Sequence, residues 1–149
     1  MKKIMLWILV ISCMGVIFYF SSENAEKSTE NSRSIITNTK IIENKASNET
    51  EKELIIQKAD IELRIFAHAF EYFTLSILVC FLIKEYNTNI KSILLISFLI
   101  CFIYSCSDEI HQLYVIGRSC EFSDIIVDNM GTIFGELLFY LSGIKIWKK

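Results

Sequence analysis

The sequence predicts an all-α, polytopic membrane protein: four transmembrane helices, N and C termini cytoplasmic, and a long outer segment between helices one and two. Three observations predict it. The chain is short and apolar, with 149 residues of which 52% are hydrophobic, no proline and a mean hydropathy of +0.41. Its apolar residues are bunched into long runs instead of being spaced with amphipathic periodicity, so a bilayer is the expected solvent. The lysines that stand at the ends of those runs fall on one side. A formal charge of −2 argues against a nucleic-acid partner.

Each element follows from local composition. Met1-Lys2-Lys3 precedes the apolar run 4–20, a pattern shared by signal peptides and first transmembrane helices. The run closes on Phe18-Tyr19-Phe20, an interfacial aromatic belt without the small residues of a cleavage site, which predicts a retained helix. Val10-Ile11-Ser12-Cys13 loosely resembles a lipoprotein cleavage box, but the apolar sequence runs on past Cys13. Residues 21–62 form the outer segment, rich in Ser, Asn, Glu and Lys. Its apolar groups at Ile35-Ile36, Ile41-Ile42 and Leu54-Ile55-Ile56 fit either surface-lying amphipathic helices or a solvated linker, with a flexible stretch near Ala46 to Thr50.

The second span is 63–83, followed by a cytoplasmic turn at 84–91, a third span at 92–107, an outer loop at 108–123 and a fourth span at 124–147. Lys2, Lys3, Lys84, Lys91, Lys145, Lys148 and Lys149 then share the cytoplasmic side, as the positive-inside rule requires. Cys13, Cys80, Cys101 and Cys106 lie within or at the ends of apolar runs and read as small core residues. Cys120 has no obvious disulfide partner except Cys106, and no C-x-x-C pair is present.

This topology brings two polar stretches to one membrane face. Helix two enters from outside at Arg64, with Glu71 about 10 Å deeper. Helix three exits there at Asp108 and helix four returns at Asp124. Arg64, His68 and Glu71 or Tyr72 share a helical face; Asp108 with His111 and Gln112, and Asp124 with Asp128, repeat the spacing. Ionisable groups at this depth are costly unless paired or hydrated. A single ligand-binding site is therefore expected from Arg64, His68, Glu71, Tyr72, Asp108, Glu109, His111, Gln112, Arg118, Asp124 and Asp128, with His68, Glu71, His111 and Asp128 as candidates for acid–base chemistry. Taken singly, these residues also have structural readings. His68 and Glu71 suit a packed pair, Asp124 a helix cap, and Gly131-x-x-x-Gly135 a close helix approach. The sequence names no metal site: no H-E-x-x-H or comparable motif is present, although two histidines with several carboxylates leave a divalent metal open.

These residues resemble the VanZ-like family of small bacterial membrane proteins, named for a teicoplanin-resistance protein. Phe18 to Ser22, followed by Ser28 and Ser32, is similar to the family's first-helix exit. Arg64 to Tyr72 is similar to its R-x-x-A-H-x-x-E-Y segment. Asp108-Glu109-Ile110-His111-Gln112, Gly117-Arg118, Asp124, Asp128, Gly131 and Gly135 follow its remaining signatures in order. Ile65, Ala69 and Ile116 depart from a usual basic residue, phenylalanine and proline. The resemblance implies a bacterial cytoplasmic-membrane protein of the cell envelope, in some members linked to reduced glycopeptide or lipoglycopeptide susceptibility, and it supplies no reaction.

Three functions fit. One is an outer-leaflet pocket for an anionic membrane lipid or lipid-linked cell-wall precursor, another a metal-assisted hydrolase or transferase on a lipid-linked phosphate, and the third a structural subunit of a membrane complex.

Overall fold

The computed structural model describes residues 1–24, 29–30, 33–34 and 49–147; the pairs at 35–36 and 41–42 and most of the stretch from Ala46 lie outside them. Four long helices carry the fold: α1 Lys2–Ser21, α2 Glu49–Lys84, α3 Ile90–Gln112 and α4 Phe122–Trp147. No strand occurs among the described residues. All four are long and apolar enough to cross a membrane, since about 20 residues at 1.5 Å each span the hydrocarbon.

Helix α2 differs from the sequence expectation at its start. It begins at Glu49 instead of Leu63 and runs for 36 residues, about 54 Å. Residues 49–62 contain Glu, Lys, Gln, Leu, Ile and Ala with one Thr and one Asp, but no glycine or proline, so every residue favours or tolerates continued helix. The polar part of the helix therefore extends the apolar span instead of forming a separate surface element.

α2 is the central element, packed against α1, α3 and α4. Leu6, Val10 and Ile17 of α1 occupy one helical face and are buried with Tyr72, Leu75, Val79 and Leu82 of α2 and Cys101 of α3. A smaller cluster joins Cys80, Ile93 and Phe139. Outside these seams large apolar residues such as Ile4, Ile8, Phe66, Ile103 and Phe134 are exposed. That distribution suits lipid as the outer solvent. The cysteines are all free thiols, Cys120 exposed and Cys106 half-buried.

Where α2 and α4 meet, side chains are absent on purpose. A Cβ at Gly131 would collide with the Ala69 carbonyl, and one at Gly135 with the Ser76 hydroxyl and the Phe73 carbonyl. Only glycine permits this approach. At the lysine-bearing end, Lys2 makes an ion pair with Glu85, Trp7 Nε1–H donates to the Tyr86 hydroxyl at 3.1 Å, and the Lys3 ammonium lies 4.4 Å from the Tyr86 ring centre. The hydrogen bond from Lys2 holds Glu85 below its ordinary carboxylate value. Asn89 then caps α3 by accepting from the Lys91 N–H at 3.0 Å.

Gly131→Ala is expected to destabilise the detergent-solubilised protein by about 1–3 kcal/mol, because backbone must move to admit the methyl. Gly15→Ala, where nothing lies within 4 Å of the added carbon, is expected to be neutral. Thermal unfolding followed by size-exclusion chromatography compares the two.

Candidate functional site

At the end of the bundle opposite Lys2 and Glu85, the four helices diverge around a cavity of about 780 Å³. That volume falls within the range of small-molecule sites. Its wall is built from α2 by Arg64, His68 and Glu71, from the end of α3 by Asp108 and Gln112, from the following loop by Arg118 and Glu121, and from the start of α4 by Asp124. The end of α1 contributes Phe20, Ser21 and Glu23. Seven of the sequence-predicted residues, Arg64, His68, Glu71, Asp108, Gln112, Arg118 and Asp124, thus line one space.

Four others take different places. Asp128 is fully buried behind the wall, where one oxygen lies 3.2 Å from His68 Nδ1 and the other accepts from the Ser105 hydroxyl at 2.7 Å. Nδ1 being so engaged, Nε2 is the His68 nitrogen left for the cavity. Tyr72 is fully buried in the main apolar cluster. Glu109 is also fully buried, accepting from the Gln112 side chain at 3.1 Å and from the Glu121 backbone N–H at 2.9 Å. His111 stacks on Phe18 with ring centres 4.3 Å apart, and its Nε2 is 3.0 Å from the Ser22 hydroxyl. Tyr72, Glu109 and His111 therefore hold the frame of the site.

The arginines are partly engaged by the protein itself. Arg64 donates to the Thr29 hydroxyl at 2.9 Å and has Asp60 one helical turn away at 4.0 Å. Arg118 donates from Nε to the Glu23 carbonyl at 2.9 Å and from Nη2 to the Phe20 carbonyl at 3.1 Å. Burial, and secondarily the Arg64 charge, push the Arg118 guanidinium below its ordinary value. The loop reaches this position through Gly117, whose φ of 79° is a left-handed conformation that glycine adopts without strain.

Asp108 stands apart from the other carboxylates. It is 3% exposed, and neither oxygen has a hydrogen-bond partner. The Ser21 hydroxyl and the Gln112 amide are its nearest donors, but neither reaches it in hydrogen-bond geometry, and the Gln112 amide donates to Glu109 at 3.1 Å. A buried acceptor without a donor costs several kcal/mol in an apolar setting. Among the described residues no three His, Cys, Asp or Glu side chains converge to hold a metal ion.

Sequence reasoning missed Asp60, Ser105, Glu23 and Glu121. Asp60 carried a usable signal, lying four residues before Arg64. Ser105 carried none, since a serine in an apolar helix reads as a small packing residue. Glu109→Ala should leave the Glu121 N–H without its partner, costing about 1–3 kcal/mol. Hydrogen exchange across residues 113–121 is expected to accelerate relative to the parent protein.

Comparison with known proteins agrees with this architecture. No curated protein and no solved structure is matched. A family model described as VanZ/LLP1 matches residues 6–143, which takes in most or all of each span and every wall residue named above. The chain is a multi-pass membrane protein that belongs to the VanZ/LLP1 family.

Proposed function

We propose that this protein sits in the bacterial cytoplasmic membrane with the cavity facing outward, and that the cavity engages the phosphate-bearing headgroup of an envelope lipid or lipid-linked cell-wall precursor. The observation that carries the reading is the cavity itself. It is of ligand size, lined by charged and polar side chains, and formed where α1 and α3 end and α4 begins beside α2. Arg64 and Arg118 lie on its wall, and the planar fork of a guanidinium suits phosphate. By holding such a headgroup the protein changes what glycopeptide or lipoglycopeptide antibiotics meet at the membrane surface.

In nanodiscs of defined lipid, Arg64→Ala and His68→Ala proteins that insert at normal levels are expected to lose about tenfold or more in phospholipid affinity, measured by native mass spectrometry. Cells carrying them should become as glycopeptide-susceptible as cells lacking the protein. Unchanged binding together with unchanged susceptibility would discard the reading.

A second reading, catalysis on a lipid-linked phosphate, is favoured by one specific contact. Asp128 holds His68 Nδ1 at 3.2 Å, orienting the imaginable acid–base nitrogen, Nε2, away from the carboxylate. Such an orienting pair is a recurrent feature of general acid–base sites. If this reading holds, His68→Gln lowers turnover of lipid-linked phosphates by about 10²-fold or more. Absence of turnover in the parent protein across a divalent-metal series removes it.

A further inference from the structure

We infer that the headgroup taken by this cavity carries a primary ammonium group close to its phosphate, and that Asp108 and Glu71 receive the ammonium. The inference rests on the headgroup-binding reading above and adds the class of ligand. It begins with the balance of the wall. Among the described residues, Glu23, Glu71, Asp108, Glu121 and Asp124 bring carboxylates to the cavity, against the guanidiniums of Arg64 and Arg118 and the imidazole of His68. The imidazole is already matched by Asp128, and both guanidiniums spend donors on protein oxygens. A ligand that was only anionic would meet a wall in carboxylate excess, which is unfavourable in a space of low dielectric.

Asp108 gives the missing group a position. Its carboxylate is 3% exposed, lines the cavity, and has both oxygens without a donor. Glu71 lines the same wall as Asp108 and Arg118. Two carboxylate acceptors on one wall call for a group with several N–H or O–H donors and positive charge. A hydroxyl supplies one donor and no charge. A divalent cation requires more converging carboxylates than the described residues bring together. A quaternary ammonium has no N–H, and it is recognised by aromatic cages, whereas Phe20 is the one aromatic side chain among the lining residues. A primary ammonium has three donors and a full charge, and it satisfies both carboxylates at once.

Joined to a phosphate by a short chain, such an ammonium is the headgroup chemistry of an aminophospholipid or of free phosphoethanolamine. Binding to the full-length protein in nanodiscs is measured by native mass spectrometry with three short-chain phospholipids of equal acyl length, bearing ethanolamine, choline or glycerol headgroups, and with free phosphoethanolamine. The expected result is a preference of about tenfold or more for the ethanolamine lipid over the other two. Asp108→Asn is expected to bring the ethanolamine lipid down to the level of the glycerol lipid, and Glu71→Gln to move it the same way. The Glu71→Gln protein carries the test if Asp108→Asn fails to insert. Comparable affinity for free phosphoethanolamine assigns the recognised source to the headgroup alone, and weaker affinity assigns it to the lipid; either supports the proposal. Equal binding of the three lipids, or a preference for glycerol or choline, overturns the ammonium assignment while leaving headgroup binding intact. Failure of every phospholipid and of phosphoethanolamine to bind overturns both.

Discussion

The contact on which the rest of the structure depends is the side-chain-free approach of α4 to α2 at Gly131 and Gly135. Here helix backbone lies directly against the Ala69 and Phe73 carbonyls, so the two axes are closer than any other residue type would allow. One turn up α4 from Gly131, the same approach brings Asp128 within 3.2 Å of His68 Nδ1. A helix pair set wider would leave a fully buried carboxylate and a largely buried imidazole each without the other, which is a heavy cost in a low-dielectric interior. Packing geometry in the apolar half of the bundle thus sets electrostatic geometry in the polar half.

Around that pair the polar residues divide by task. Glu109, Gln112, Arg118 and His111 fasten α3 to the loop that follows it and both to the end of α1. Glu71, Asp108 and Asp124 line the cavity between them. Frame and lining alternate along the same short segments, and neighbouring residues on one helix, Asp108 and Glu109, serve opposite roles. Glu109 in the frame is satisfied internally, whereas neither oxygen of Asp108 in the lining has a partner.

Much of this was legible in the sequence. Apolar runs 16 to 24 residues long, roughly the length a bilayer imposes, announced the four spans, because lipid leaves little choice of composition. The spacing of Arg64, His68 and Glu71 announced a shared face, and topology alone brought Asp108, Arg118 and Asp124 to the same end. The early start of α2 was not legible, since charge dilutes the apolar groups of 49–62 and helical continuity there leaves no periodic mark. Nor was the division between Asp108 and Glu109. Successive residues on a helix point about 100° apart, and which of the two meets the cavity is decided by packing against α1, α2 and the loop. Asp60 was overlooked although its spacing to Arg64 was on the page, while Ser105 gains meaning only from the carboxylate it reaches across the helix interface.

Helix α1 is fastened at both extremities. Lys2, Lys3 and Trp7 engage Glu85 and Tyr86 at one, and the Phe18 ring, the Phe20 carbonyl and Ser22 engage His111 and Arg118 at the other. Midway, the Tyr104 hydroxyl donates to the Met14 carbonyl at 2.6 Å. A rod tethered at two ends and at its waist has lost sliding along its axis and spinning about it. Its remaining freedom is to bow sideways, so the rim that α1 contributes to the cavity keeps its depth in the membrane.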